Sequence, residues 1–240
     1  VEADPANLNL SAFETFFEER RPFFLEGTDI FQFGKTRSFS SRGSNLFYSR
    51  RIGRKPRGYI NDENTQFEDY PSQTDIISAL KFSGKTKSGF SIGILDAITR
   101  EEKATYIDSF GNEKTQPIEP FSNSFVLRLK KDMVDGKVVL GSFITHKTNN
   151  LSTVYLDSSF LKDALVLGGD FEYALPDPSW ILSGFAASSS IRGDSKVITQ
   201  IQKSSSHYFQ RPEDDIDVDR SLTSLIGVGS EISLTTVSYT

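Results

Sequence analysis

The chain has 240 residues, which suits one large or two small folded domains. Its net charge is −5 and 25% of its side chains are charged, which argues against a polyanion-binding protein or an acidic disordered tail. It has no cysteine, which excludes a disulfide framework, a thiolate zinc site and a cysteine nucleophile. Only 37% of the residues are hydrophobic, yet 20 Phe and 17 Gly are present, a composition typical of strands that are apolar on one face only.

The first part of the chain predicts one strand and one long insertion. Residues 1–12 are expected to form a strand, because Leu8, Leu10 and Ala12 alternate with polar residues. Residues 13–74 then form a single connection, and a connection of this length within a compact protein is usually functional. Its many Phe side chains need burial, which the inside of a barrel would supply. We therefore predict a plug or constriction loop.

From residue 75 onward the sequence alternates with a period of two, which predicts antiparallel hairpins. Ile76, Leu80 and Phe82 are expected on one face of the first strand, and Ile92 and Ile94 share a face of its partner. Such strands of about 10–14 residues are longer than the usual five or six and match the roughly 9–11 that a tilted strand needs to cross a bilayer.

The connections between these strands differ in length. Short ones are expected near 84–89, 132–137 and 174–179, and long polar ones over 100–121, 148–162 and 192–220. Short turns on one side and long loops on the other are typical of outer-membrane barrels. The sequence thus predicts an all-β, antiparallel transmembrane β-barrel region, with hairpins over 75–235 and residues 236–240 unassigned. A soluble β-sandwich or barrel is the alternative.

About eight strands are predicted in this chain. An eight-stranded barrel has an interior filled by its own side chains, so it has no room for a sixty-residue plug. We therefore expect the complete barrel to use more strands than this chain carries.

Four stretches of the sequence carry a resemblance to a known family. In chain order, "NLSAFETFFEERRPFFLEG", "LFYSRRIGR", "SGKTKSGFSIGILDAIT" and "SSSHYFQRP" resemble the DUF5916 family of bacterial outer-membrane proteins. The resemblance implies a Gram-negative outer-membrane location, a signal peptide and a carbohydrate-binding family 9-like domain upstream, and further strands downstream. Members are sometimes labelled membrane-associated hydrolases, but no catalytic residue is carried over from the resemblance.

Charged residues of the insertion are the first candidate site. The run "RRIGRKPR" is expected to pair with the acids of "FETFFEERR", either to hold a plug or to select anionic solutes. The predicted ion-pair residues are Glu14, Glu18, Glu19, Arg20, Arg21, Arg50, Arg51 and Arg54. Binding of nucleic acid or anionic lipid is the alternative for the basic run, and the acidic chain with one such cluster argues against it.

The acidic residues raise two further possibilities. Glycoside hydrolysis needs two carboxyl groups at a fixed separation, and the insertion offers Glu26, Asp29, Asp62, Glu63, Glu68 and Asp69. With 32 acids in the chain, solvated loop acids are the simpler interpretation, and no catalytic residue is assigned. Asp214, Asp215 and Asp217 are calcium candidates that lack the glycine and terminal glutamate of an EF-hand. No metal site or cofactor is otherwise predicted.

Tyr173 and Trp180 flank a predicted tight turn and are expected in an interfacial aromatic girdle, with ordinary strand-end packing as the alternative. The function predicted from the sequence is a porin-like pore, transport or surface-assembly role in the cell outer membrane. Its expected partners are outer-membrane lipid and glycans or other surface proteins, and not nucleic acid. A membrane-associated hydrolase with its site in the long loops and a soluble all-β binding module are the alternatives.

Overall fold

The computed structural model describes residues 17–34, 46–62, 65–176, 180–204 and 217–236. The strands are β1 (Phe67–Asp69), β2 (Ile76–Lys85), β3 (Phe90–Thr99), β4 (Glu102–Ile107), β5 (Glu113–Glu119), β6 (Phe121–Met133), β7 (Val138–Asn150), β8 (Leu161–Ala174), β9 (Trp180–Gly193) and β10 (Ser224–Thr236). The helices are α1 (Pro22–Leu25), α2 (Val154–Ser159) and α3 (Ser195–Lys203), with 3₁₀ turns at Thr28–Phe31 and Ser49–Arg51. Within the described residues, no helix is both long enough and apolar enough to cross a membrane.

Seven strands form one antiparallel sheet in the order β10-β9-β8-β7-β6-β3-β2. The predicted all-β antiparallel fold is therefore confirmed. These strands are seven of the eight expected from the sequence, and the eighth, over residues 1–12, lies outside the described residues. The described part of the sheet is open, with β2 and β10 at its edges, so closure into a transmembrane barrel stays a prediction.

The two faces of the large sheet differ in chemistry because apolar and polar residues alternate along each strand. On one face, which we call the apolar face, the strand register aligns a row of large apolar side chains. This row contains Phe82, Ile94, Leu127, Ile144 and Leu167, on β2, β3, β6, β7 and β8. Its side chains are exposed or half-exposed in the described structure. On β10, Ile226, Val228 and Ile232 are also exposed.

The opposite face, the covered face, is packed against an earlier part of the chain. We call residues 17–34 and 46–62 the covering segment. Its buried side chains Phe24, Phe31, Phe33 and Ile52 form one hydrophobic core with Leu95, Ala97, Val126 and Phe143 of the sheet. The predicted burial of insertion Phe side chains is thus met by three Phe residues that lie on the sheet.

One expected side-chain orientation is wrong. Ile76 was predicted on the same face as Leu80 and Phe82, but it packs into the core of the covered face, next to Gly53. A register irregularity between Ile76 and Ser78 shifts the alternation by one residue. Such a bulge reverses the face to which the preceding side chains point.

The long connections at one end of the sheet contain regular structure that the sequence did not predict. The segment 100–121 was expected to be a loop, but β4 and β5 pair within it and form a second sheet in the order β1-β4-β5. Ala104 and Ile118 are fully buried in this small sheet and pack with Ile60. Helices α2 and α3 lie in the connections over 148–162 and 192–220. We call this end of the large sheet the loop end and the other the turn end.

Candidate functional site on the covered face

An arginine and an aspartate form an ion pair on the covered face. Arg128 lies on β6 and Asp170 on β8, so the two side chains meet across β7. Arg128 Nη1 and Nη2 donate to Asp170 Oδ1 and Oδ2 at 2.6 Å and 2.7 Å, the bidentate geometry that binds a carboxylate strongly and directionally. The side chain of Arg128 is 1% exposed and that of Asp170 is 15% exposed. The pair is therefore almost entirely removed from water.

A glycine on the intervening strand makes this ion pair possible. Gly141 of β7 lies opposite Asp170 in the strand register. A Cβ atom added to Gly141 would lie 2.2 Å from Asp170 Oδ1 and 2.5 Å from Arg128 Nη1. Both distances are far below van der Waals contact, so the absence of a side chain at Gly141 gives the pair its space.

Phe33 of the covering segment lies between aromatic residues of the sheet. It is 2% exposed, and its ring centroid lies 5.7 Å from that of Phe143 and 5.6 Å from that of Phe185. These tilted and edge-on arrangements are favourable aromatic contacts. Gly168 of β8 lies beneath the ring, where an added Cβ would approach Phe33 Cζ to 2.6 Å. The sheet thus has a position shaped for this side chain.

The same part of the covering segment contacts the ion pair directly. The Arg128 guanidinium carbon lies 5.6 Å from the Phe33 ring centroid, within range of a cation–π interaction. The backbone N–H of Gly34 donates to Asp170 Oδ2 at 3.3 Å. The ion pair therefore serves as an attachment point for the covering segment as well as a link between β6 and β8.

A lysine of strand β2 provides a second attachment. Lys81 Nζ donates to the backbone carbonyl oxygens of Phe23 and Phe24 at 3.1 Å and 3.0 Å. These carbonyls belong to α1, a single helical turn whose last carbonyls lack intrahelical partners. A cation near a helix C-terminus is also electrostatically favourable. Lys81 therefore anchors the start of the covering segment.

Two cavities of about 400 Å³ each lie on the covered face. The turn-side cavity is lined by Lys130, Asp132 and Glu172 among others, and the loop-side cavity includes Val126 in its lining. Val126, Arg128 and Lys130 are successive covered-face positions of β6. Arg128 and Asp170 line the turn-side cavity, and on β6 Arg128 lies between Lys130 of that cavity and Val126 of the loop-side cavity.

Glu19 and Arg21, two of the predicted ion-pair residues, are bonded within the covering segment. Arg21 Nε and Nη2 donate to the Glu19 carboxylate at 2.8 Å and 2.7 Å, and Ser49 Oγ donates to the same group. Arg21 also donates to the carbonyls of Ser49 and Ile52, at 2.9 Å and 2.6 Å. Burial raises the pKa of Glu19, but the hydrogen bonds from Arg21 and Ser49 outweigh it and lower the pKa to about 2. This pair joins residues 17–34 to residues 46–62.

The other predicted ion-pair residues have different positions. Arg50 donates to the backbone carbonyl of Glu18 at 2.8 Å, and its pairing with a carboxylate among Glu14, Glu18 and Glu19 stays a prediction. Arg20 is exposed. Arg51 and Arg54 line the loop-side cavity. Glu14 lies outside the described residues.

Some acidic candidates of the hydrolase and calcium hypotheses have local contacts, and others are exposed or lie outside the described residues; Glu26 and Asp69 are exposed and Asp62 is half-buried. Glu68 accepts hydrogen bonds from Thr65 and Tyr70, and Asp29 accepts one from Gln32. Asp217 is exposed, and Asp214 and Asp215 lie outside the described residues, as does Glu63. Among the residues that the structure describes, no three His, Asp or Glu side chains gather as a metal-binding group.

Tyr173 and Trp180 lie at the turn end, on the apolar face. Tyr173 pairs with Leu182 in the register of β8 and β9, and Trp180 lies two residues before Leu182 on β9. Tyr173 is 40% exposed and Trp180 is 39% exposed. Both positions suit an aromatic girdle, which depends on a membrane and stays a prediction.

Sequence reasoning missed the ion pair on the covered face. Neither Arg128 nor Asp170 was predicted as a site residue. The available signal was a charged residue at an inward position of each strand, with Gly141 at an inward position of the strand between them. Using it requires the strand register, which the sequence alone does not provide.

Comparison with known proteins adds one finding. The family model described as a domain of unknown function, DUF5916, matches residues 1–211 of the 240-residue chain. No curated protein and no solved structure matches the chain.

Proposed function

Starting from a chain that belongs to the DUF5916 family, we propose that its large sheet is part of an outer-membrane β-barrel and that the covering segment closes a solute passage inside it. Strands outside the described seven would complete the barrel, and lipid would contact the apolar face. The observation that carries the proposal is the opposite chemistry of the two faces of one sheet. One face bears exposed apolar side chains, and the other bears buried charges, cavities and a packed segment.

The dimensions of the strands support contact with a bilayer. Strands β2 and β3 have 10 residues each, and β6 to β10 have 13 or 14. A tilted strand needs about 9–11 residues to cross the hydrocarbon region. On β10, Ile226, Val228 and Ile232 are 75%, 81% and 77% exposed, which is costly in water and favourable against acyl chains.

The arrangement on the covered face supports a closed passage. The turn-side and loop-side cavities lie on either side of Arg128, which Phe33 covers. If the covering segment moved off Phe143 and Phe185, the two cavities would join along the polar face. We therefore assign the covering segment the role of a plug and the whole protein a pore or transport role. The surface-assembly role, the link to glycans and the hydrolase and soluble-module alternatives stay predictions.

The membrane location is tested with the full-length protein and one pair of variants. We expect heat-modifiable migration on a detergent gel and recovery in the outer-membrane fraction. Ile144→Arg places a charge on the apolar face, which costs up to about 2–4 kcal/mol where lipid surrounds it. The matched control is Thr115→Arg, at an exposed position of the small sheet. Solubility without detergent, or equal effects of the two variants, would contradict the proposal.

The closed passage is tested by locking the covering segment in place. The chain has no cysteine, and a Cβ added to Gly27 would lie 3.2 Å from Ser83 Cβ, a few tenths of an ångström below the disulfide range of about 3.5–4.5 Å. Gly27→Cys with Ser83→Cys would tie the covering segment to β2, and Gly27→Cys alone controls for the strain of a side chain at the positive φ of 64° found there.

In liposomes, Asp170→Asn is expected to raise ion flux, because it weakens the attachment of the covering segment. With the two cysteines added to Asp170→Asn, oxidation should lower the flux to the wild-type level, and reduction should raise it again. Each single-cysteine variant cannot form this disulfide and therefore controls for other effects of oxidation and reduction on the flux. Flux that responds to neither the Asp170 variant nor the disulfide would overturn the plug role.

A further inference from the structure

The turn-side cavity is lined by charged side chains of both signs. Arg128 and Lys130 of β6 supply two cations, and Asp132, Asp170 and Glu172 supply three carboxylates. Its volume of about 400 Å³ falls in the range of small-molecule sites. A ligand with a single charge would therefore meet repulsion from one part of this lining and attraction from the other.

Strand β7 leaves room between the charged side chains of its two neighbours. Its covered-face positions here are Val139 and Gly141, which face the charged residues of β6 on one side and those of β8 on the other. Neighbouring strands lie about 4.8 Å apart, so the charged residues of β6 and β8 are separated by about 10 Å. No long side chain of β7 fills the space between them. Gln32 and Gly34 of the covering segment belong to the same lining.

Lys130 is a cation of this lining that has no partner in the described structure. Arg128 is bound to Asp170, and Lys131, the next residue on the strand, donates to the carbonyl of Ser88 at 2.7 Å. Within the described part of the chain, Lys130 makes neither a hydrogen bond nor an ion pair, although carboxylates line the same cavity. Its ammonium group is therefore available to a ligand.

Asp132 offers the opposite charge next to Lys130. One of its oxygens, Oδ2, is bound by Lys85, whereas Oδ1 accepts no hydrogen bond from the residues that the structure describes. Lys130 and Asp132 are two residues apart on β6, so their Cα atoms are about 7 Å apart and their side chains point to the same face. A cationic donor and an anionic acceptor thus lie near each other without being paired to each other.

We propose that the turn-side cavity binds a small zwitterion of the amino-acid type, whose carboxylate meets Lys130 and whose ammonium group meets Asp132. An α-amino acid carries both charges on one carbon atom, so it fits between two side chains that are near each other but not in contact. It brings no net charge into a lining of mixed sign, and each of its charges meets an opposite one. Both interactions are charge-assisted hydrogen bonds, which are about twice as strong as neutral ones.

A zwitterion bound here would be a solute of the closed passage, an assignment that rests on the function proposed above. Its binding is an equilibrium property of the folded protein and can be measured without flux. Because Gln32 and Gly34 belong to the covering segment, a ligand in this cavity would also lie against the segment that has to move.

Titration calorimetry of the full-length protein in detergent micelles at neutral pH tests the site. The probes are L-alanine, its singly charged analogues propionate and ethylamine, and the neutral sugar glucose. We expect alanine to bind about tenfold or more tightly than propionate or ethylamine, because each of these lacks one of the two charge-assisted hydrogen bonds. Propionate or ethylamine binding as tightly as alanine, or glucose binding more tightly, would overturn the proposal.

Three variants locate the binding. Lys130→Gln should weaken alanine binding by about tenfold or more and should not weaken ethylamine binding, because ethylamine has no carboxylate. Lys130→Arg keeps the charge and should keep the binding of alanine. The matched control is Lys137→Gln, because Lys137 is exposed at the turn end and is not part of the lining. Wild-type affinity for alanine in Lys130→Gln, or an equal loss in Lys137→Gln, would overturn the inference.

The two proposals fail in different ways. Absence of flux in liposomes, with alanine binding intact, would overturn only the closed passage. Absence of alanine binding, with plug-dependent flux intact, would overturn only the zwitterion site.

Discussion

Arg128 and Asp170, on two strands separated by a third, form a bidentate ion pair over Gly141. The pair is almost fully buried, and one of its carboxylate oxygens also accepts the backbone N–H of Gly34. Buried pairs of this kind gain little net stability over a matched apolar replacement, but breaking one partner is costly. Because the pair also holds Gly34 of the covering segment, it fixes where that segment lies on the sheet.

We expect Gly141→Ala to destabilise the protein by about 1–3 kcal/mol, because the new methyl group would force the ion pair apart. The matched control is Gly169→Ala on β8, where an added Cβ meets its nearest neighbour, the Gly141 carbonyl oxygen, at 3.7 Å. Urea unfolding in micelles, followed by circular dichroism, measures both. Equal destabilisation by the two variants would show that the pair does not depend on the space at Gly141.

Removing one charge should cost more than removing both. Asp170→Asn leaves the Arg128 guanidinium buried without its counter-charge, and we expect a loss of about 3–5 kcal/mol. Arg128→Met combined with Asp170→Leu removes both charges and should cost less than Asp170→Asn alone. The free energy of unfolding in micelles measures the difference. A double variant less stable than the single one would contradict the electrostatic explanation.

Phe33→Ala should destabilise the attachment of the covering segment by about 3–5 kcal/mol, the usual cost of deleting a buried aromatic side chain. The control is Phe110→Ala, because Phe110 is 87% exposed and its loss should change the stability by less than about 0.5 kcal/mol. Limited proteolysis within residues 17–62 reports detachment of this segment directly. Protection equal to that of the wild type in Phe33→Ala would exclude Phe33 as an anchor.

The Glu19–Arg21 pair should give the covering segment a defined acid sensitivity. The pKa of Glu19 falls from the ordinary 4.5 to about 2 in the folded protein. Because the folded-state pKa is the lower one, this stabilisation is fully present above 4.5 and is lost as the pH falls through about 2.

Glu19→Gln should therefore lower the stability at neutral pH and flatten its pH dependence between about 5 and 2. Proteolytic protection of residues 17–62, measured with an acid-active protease, follows the effect. Lys114 and backbone hydrogen bonds also lower the pKa of Asp108 to about 2. Because Asp108 contributes to the pH dependence of both proteins, the effect of Glu19 is the difference in protection between Glu19→Gln and the wild type. An unchanged pH profile in Glu19→Gln would contradict the prediction.

The strands of the large sheet were predictable because each has one apolar face. The alternation of Phe125, Leu127 and Leu129 with polar neighbours can be recognised in the sequence without knowing which strands pair. The hairpin of β4 and β5 was not predicted, because its buried positions, Ala104 and Ile118, are spaced among many polar residues. A small sheet with few apolar side chains leaves a faint periodic signal.

The contacts of the candidate site were less predictable than the strands. Arg128 and Asp170 are 42 residues apart in the chain and meet only because the register of three strands aligns them. The nearby acids and arginines of the insertion suggested ion pairs between its two halves. Arg21 binds its near neighbour Glu19 and also connects the two halves through the carbonyls of Ser49 and Ile52, a contact that the sequence did not predict. Every residue has a backbone carbonyl, so residue type does not indicate which of them accepts a hydrogen bond from an arginine.

The covering segment precedes in the chain all of the strands on which it lies. Its hydrogen bond from Gly34 to Asp170 joins residues 136 positions apart. Contacts with such large sequence separation form slowly, because the intervening chain must be ordered first. The covering segment is synthesised before these strands and is therefore expected to reach its final position after β6, β7 and β8 have paired. Folding would thus end with closure of the covered face, and an assembly intermediate would present that face open.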